Sequence, residues 1–194
     1  MRVDKEYVFE GASGKTTLGE LFAGRGQLIV YHFMFDPSWD EGCPSCSFWA
    51  DNFNGIIIHL NQRDVSLAAI SRAPFAQFAP FLKRMGWSFE WVSSFGTDFN
   101  TDYHVSFTPE QLAQGDALYN YAPSTASMSE WPGISVFCKA PDGTIFHTYS
   151  CYARGLDMLN VAYHYLDLVP RGRDEEGLSR PMAWVRLRHM RTVP

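Results

Sequence analysis

The chain is poor in cysteine, with four in 194 residues. That is too few for a disulfide-stapled scaffold, which crowds its bridges into a much shorter secreted chain. Long apolar runs are also missing. None approaches the roughly 20 consecutive residues that a membrane-spanning helix needs, and the N-terminal stretch from Met1 to Gly11 lacks the apolar core of a signal peptide. There is no excess of basic charge: the formal net charge is −5, which argues against a general nucleic-acid or anionic-membrane surface. No glycine-rich nucleotide motif, internal repeat or low-complexity segment is visible. The expectation is a soluble cytoplasmic protein with no bound cofactor or metal and neither nucleic acid nor membrane as partner. Structural disulfides are unusual in that compartment.

What is present suits one good-sized core. Hydrophobic residues make up 46% and charged residues 19%, and aromatics reach 15%, so disorder is excluded and packing is rich in rings. The run Gln27–Phe35 is nearly all apolar and reads as a strand buried on both faces. Pro44 to about Asn61 repeats Phe48, Trp49, Phe53, Ile56, Ile57 and Leu60 at helical steps, with Gly55 as a weak point. A second strand is expected at 65–71, a helix at 73–86 bent or broken at Pro80, and a third strand at 87–94. Thr17 to Glu20 carries capping-box spacing, and Thr108-Pro109-Glu110-Gln111 is the best helix start within 95–131. The irregular excursion 95–131 has the length of a lid or binding loop. Asp142-Gly143 marks a hairpin, and 155–169 reads as an amphipathic helix ending at Pro170. The order strand–helix–strand–helix–strand, then hairpin and helix, predicts an α/β sandwich with a mixed sheet.

This order gives weight to Asp40-Glu41-Gly42-Cys43-Pro44-Ser45-Cys46. Cys43 follows the loop after a buried strand, where a helix starts with Pro44 at its first position. Chemistry in open α/β sheets collects at the carboxyl ends of strands. Free amide N–H groups at a helix start favour a thiolate, the nucleophilic form. Cys46 lies one turn further on the same side, so it can attack a mixed disulfide formed at Cys43 and release the partner as a thiol. Three readings stand side by side: a redox couple, two ligands of a metal, and an inert pair. The redox couple comes first, because zinc would need two more ligands and no second close cysteine pair exists.

Four segments carry a resemblance. Tyr31 to Phe53, Ser71 to Asn100, Pro132 to Phe137 and Phe146 to Gly177 are similar to the DUF899 family, a thioredoxin-like group with no established substrate. The resemblance covers the chain from Val3 to the Arg-rich tail. It implies a thioredoxin-like three-layer α/β/α sandwich with a mixed sheet, over residues 1–170, followed by a partly docked tail at 171–194. It also implies dithiol oxidoreductase activity, with Cys43 as the attacking and Cys46 as the resolving cysteine. Pro132 then matches the cis-proline of that fold, which would bring Trp131 and its backbone against the cysteines as a docking shelf for a partner's extended chain. Trp39 is a further candidate for the substrate rim.

Several features depart from the thioredoxin pattern. Pro-Ser stands between the cysteines. The buried strand carries Tyr31 and His32 in the region of thioredoxin's buried aspartate. His32 reads first as a hydrogen-bonded core histidine and second as a proton acceptor for Cys46. Asp36, Asp40 and Glu41 crowd the loop and would oppose a thiolate. Asp40 and Asp36, three and seven residues before Cys43, stand where a peroxiredoxin carries a hydroxyl residue and a proline. Cys138 and Cys151 read as small core residues. The tail holds Arg171, Arg173, Arg180, Arg186, Arg188 and Arg191, and reads as solvated, with Trp184 and Leu187 docked on the body. The expected function is thiol–disulfide exchange with a protein or small-molecule disulfide, with electrons from a dithiol donor. The alternative is a non-catalytic module that binds a metal or a protein.

Overall fold

In the computed structural model, residues 1–124 and 128–190 are described; Arg191 of the Arg-rich tail lies outside them. The chain opens with a hairpin that the sequence pattern did not reveal, β1 (Val8–Gly11) and β2 (Gly14–Thr17). Gly14, at φ +101°, allows its tight turn. Thr17 and Glu20 then exchange the expected reciprocal bonds, Thr17 N to Glu20 Oε2 at 2.7 Å and Glu20 N to Thr17 Oγ1 at 3.2 Å. β3 spans Gln27–His32.

The long helix expected from Pro44 is two helices, α1 (Pro44–Ala50) and α2 (Phe53–Asn61). The break falls at Asp51-Asn52 rather than at Gly55. The Asn52 amide donates to the Phe48 and Trp49 carbonyls, and Asp51 accepts from the Trp87 indole at 3.0 Å. Side-chain bonds thus compete with the helix ladder there. β4 (Val65–Ser71) matches the expected range. α3 (Phe75–Met85) runs through Pro80 without breaking, its face anchored by buried Phe78, Phe81 and Met85. β5 is confined to Glu90–Ser93.

The excursion holds two short helices, α4 (Phe99–Asp102) and α5 (Pro109–Gln114), and the small hairpin β6 (Ala117–Tyr119) and β7 (Ala122–Ser124). α5 starts at the expected place, with Thr108 and Gln111 forming a capping box. β8 (Gly133–Lys139) and β9 (Ile145–Tyr152) form the hairpin around Asp142-Gly143. The helix expected at 155–169 is instead a 3-10 segment, Ala153–Leu159, followed by α6 (Val161–Leu166). Asn160 separates the two, its Oδ1 accepting from the Ala162 and Tyr163 amides.

The main sheet has seven strands in the order β2-β1-β5-β4-β3-β8-β9. β3, β4 and β5 are parallel; β8 and β9 on one side and β1 and β2 on the other are antiparallel. Both crossovers lie on one face. There α1, α2, α3 and α6 cover a ring-rich core around Tyr31, Phe33, Phe78 and Trp91. The opposite face is covered more thinly, by Leu18, Leu21 and Phe22 in turns and by Phe99 of α4. The mixed three-layer architecture is therefore as expected, with helices shared unequally between its faces.

The tail packs on the helical face. Trp184 lies edge-on to Phe48 with ring centroids 5.3 Å apart, and Leu187 is buried in the core. Glu175 collects bonds from Tyr163, Met182 and Trp184. Removal of the α6 cap tests the break at Asn160. Asn160→Ala is expected to lower unfolding free energy by about 1 kcal/mol, read as a lower urea midpoint with an unchanged slope.

Candidate functional site

The loop after β3 is held from both ends. Phe33 N donates to Ile70 O at 2.9 Å and Ala73 N to Phe35 O at 2.9 Å, while Cys43 N closes the loop onto Met34 O at 3.2 Å. Gly42 is buried between two rings: a Cβ there would stand 2.8 Å from Phe33 and 2.9 Å from Phe81. Only glycine lets the chain pass so close. Cys43 then sits at the N-cap of α1 with Pro44 behind it. Its carbonyl accepts from Ser47 N and Ser47 Oγ, both at 3.0 Å.

The two thiols differ sharply. Cys43 is half-buried, whereas Cys46 is buried, and neither is in a disulfide. No capping bond of standard geometry closes onto the Cys43 side chain, yet several partial positive charges act on its sulfur. The strongest is the Cys46 S–H; the amides of Cys46 and Ser45 and the charge of Arg180 add to it, and together they outweigh burial and bring Cys43 down to about 7. Burial, and the neighbouring Cys43, push Cys46 well above the ordinary thiol range. One cysteine is poised as a thiolate and the other as a protonated neighbour.

Of the three loop carboxylates expected to oppose a thiolate, Asp36 and Glu41 are engaged by arginines and Asp40 is exposed. Glu41 pairs with Arg84 at 2.5 Å. Asp36 pairs with Arg72 and accepts from Ser38 and Ser129, at 2.6 and 2.7 Å respectively. Burial works against the Asp36 charge, but these bonds hold its carboxyl below the usual range. Arg72 also bonds Glu130 at 2.5 Å, and Ser106 donates to Glu130 at 2.6 Å. Burial raises Glu130 to about 7 against these partners. The sequence reading missed this network. Arg72 directly follows β4, at the strand end where the switch-point rule directs attention, but nothing in the sequence pairs it with residues 36 and 130.

Strand alternation decides which β3 residue reaches the cysteines. Tyr31 faces α1 and joins the core that contains Cys46. His32 faces away, packing on Phe99 and Tyr103 with its Nε2 2.9 Å from Ser135 Oγ. Burial lowers it to about 3. It is the hydrogen-bonded core histidine of the first reading, and as proton acceptor for Cys46 it is on the wrong side of the sheet.

The expected cis bond at Pro132 is not formed; the Trp131–Pro132 peptide is trans. Trp131 N donates to Val105 O at 2.8 Å and Phe107 N to Ser129 O at 2.9 Å. The shelf foreseen for a partner's chain is thus occupied from within by residues 105–107. Pro132 is linked to Tyr119, whose hydroxyl donates to Pro132 O at 2.7 Å and feels the charge of Cys46. Trp131 packs on Tyr119 at 4.9 Å. Trp39 is half-buried against the Cys46 core, its carbonyl held by Gln77 Nε2 at 2.6 Å.

Cys151 is buried, its thiol 3.8 Å from Gly155 O, and Cys138 is half-buried opposite Gln27. Among the described residues, no three His, Cys, Asp or Glu side chains converge as a metal site. No helix among them is long and apolar enough to cross a membrane.

The sequence matches the family described as "Bacterial protein of unknown function (DUF899)" over residues 1–190. None of the curated proteins matches it. Among solved structures, the fold is similar to peroxidoxin BcpB from Mycobacterium tuberculosis, at 12% identity and a TM-score of 0.54, covering 80% of this chain and 89% of that one. Weaker likenesses are the Xylella fastidiosa PrxQ C47S mutant, at 13% identity and TM-score 0.49, covering 82% and 89%, and a thiol:disulfide interchange protein DsbE from Chlorobium tepidum, described as such only provisionally, at 12% and 0.46, covering 81% and 92%. The BcpB likeness establishes a thioredoxin-like fold.

Two measurements check the electrostatics. Alkylation of Cys43 by iodoacetamide is expected to rise with pH to a half-maximum near 7, with Cys46 far slower; a midpoint at the ordinary thiol value would contradict the site. Glu130 binds its proton more tightly folded, near 7, than at the ordinary 4.5, so its contribution to stability falls as pH rises between those values. Glu130→Gln is expected to remove that fall, so urea unfolding at both pH limits should show the variant gaining on wild type as pH increases.

Proposed function

The chain belongs to the DUF899 family, and from the geometry of its own site we propose that it is a thiol–disulfide oxidoreductase. One observation carries the reading: a half-buried thiol at a helix start, favoured as thiolate, has a buried, protonated thiol one turn behind it. The Cys43 thiolate attacks a substrate disulfide, forming a bond to one sulfur while the other leaves and takes up a proton. Cys46 then attacks Cys43, the second substrate sulfur leaves as a thiol, and the protein carries a Cys43–Cys46 disulfide. A dithiol donor in a reducing, cytoplasmic compartment returns it to the starting state.

Trp39 and the Trp131–Pro132 segment frame the approach to Cys43. With the Trp131 amide already given to Val105, a partner has no strand edge to extend at that point. This favours small disulfides, or exposed disulfides of folded proteins, over extended chains that dock by strand addition. Arg180, exposed and acting on Cys43, favours an anionic group beside the reacting sulfur.

Redox titration in glutathione buffers tests the reading, with thiols trapped by alkylation and followed by mass. The expected result is a reversible two-electron transition confined to the peptide containing Cys43 and Cys46. If no disulfide forms there across the whole range, the oxidoreductase is ruled out and a binding module remains.

A further inference from the structure

The proposed cycle leaves its second half unexplained. Cys46 must lose a proton to attack Cys43, yet it is buried and burial holds its proton on. Thioredoxin-like proteins meet this need with a buried carboxylate, and β3 of this chain has none. Of the carboxylates near the loop, Asp36 is committed to Arg72 and Glu41 to Arg84, and Asp40 is exposed to solvent rather than buried beside Cys46. His32 faces the other side of the sheet.

Tyr31 remains. It sits on an interior strand of the sheet, opposite Ala69 on β4 and Ile134 on β8. Its ring is fixed edge-on between Phe53, at 5.1 Å, and Phe33, at 6.2 Å. Its hydroxyl is fully buried and makes no well-formed hydrogen bond among the described residues. The polar groups that act on it are Cys46 first, then Cys43 and Tyr119. A buried hydroxyl without a partner costs stability, and phenylalanine would fill the same space without that cost. An orphaned phenol turned to the resolving thiol is therefore better explained by the reaction than by the fold.

We infer that Tyr31 makes Cys46 competent to resolve the mixed disulfide: its hydroxyl donates a hydrogen bond to the Cys46 sulfur as that sulfur gives up its proton. The inference rests on the oxidoreductase reading above. Tyr31 keeps its own proton throughout, since burial strongly disfavours the phenolate; it is a donor, not a base. As the Cys46–Cys43 bond forms and the bond from Cys43 to the substrate sulfur breaks, the proton from Cys46 ends on the departing thiolate. No electrons beyond the two of the dithiol are needed.

The test uses the reduced full chain and an aromatic disulfide whose thiolate product is coloured. Wild type should release two equivalents: one as Cys43 attacks, and a second, first-order and independent of reagent concentration, as Cys46 resolves. Cys46→Ser should stop at one and so identifies the second phase. Tyr31→Phe should leave the first phase and the Cys43 alkylation rate unchanged and slow the second about tenfold, the scale of one hydrogen bond to a charged group. Its Tm should be equal to or above that of wild type. A second phase as fast as in wild type, or one slowed only alongside a lowered Tm, overturns the role of Tyr31. A wild-type protein that never releases the second equivalent overturns the oxidoreductase reading itself.

Discussion

The pairing of β3 with β4 on one side and β8 on the other leaves its six residues no freedom of facing. The register sets Tyr31 beside Ala69 and Ile134, and a slip of one residue would exchange the faces of Tyr31 and His32. That slip would bury a histidine under the dithiol and a tyrosine under Phe99. The different shapes of the two faces oppose it, because aliphatic Leu28 and Val30 fill one core while aromatic Tyr31 and Phe33 fill the other. Everything that follows in the chain, from the closure of Cys43 onto Met34 to the start of α1, inherits its position from this strand.

Around that strand the site balances opposed electrostatic costs. Burial penalises charge everywhere in it, yet Asp36 stays ionised because an arginine and two serines meet it, while Glu130, deeper and sharing the same arginine, is held near 7. The same contrast separates the cysteines: helix-start amides and a neighbouring S–H favour the Cys43 thiolate, and Cys46, behind it, keeps its proton. In the proposed cycle, depth and these helix-start groups together set the order of nucleophile and resolver. The Asp36–Arg72–Glu130 network has a second effect. It ties the loop before the cysteines to the segment before Pro132.

The excursion 95–131 packs against the segment that leads into Pro132. Val105 and Phe107 pair with the segment at Ser129–Trp131, and Tyr119 links Pro132 to the 3-10 segment through Ala153 N. Residues that could have formed a lid instead supply the strand edge with an internal partner.

Much of this was legible in the sequence. Runs of β-branched and aromatic residues placed β3 and β4, a capping box placed the turn at Thr17, the Thr-Pro-Glu-Gln run placed the start of α5, and the spacing of Cys43 and Cys46 after a buried strand picked out the candidate site. These signals are local, written in residues within a few positions of one another. Side-chain competition with the backbone at Asn52 and Asn160 split two helices that periodicity alone ran together, because amphipathic spacing continues across a break. The facing of Tyr31 and His32, the arginines that tie down Asp36 and Glu41, the occupant of the Trp131 edge and the approach of Arg180 to Cys43 were settled only by the tertiary structure. Each depends on the meeting of residues 22 to 137 positions apart in the chain, and contacts at that separation leave no periodic trace in the sequence.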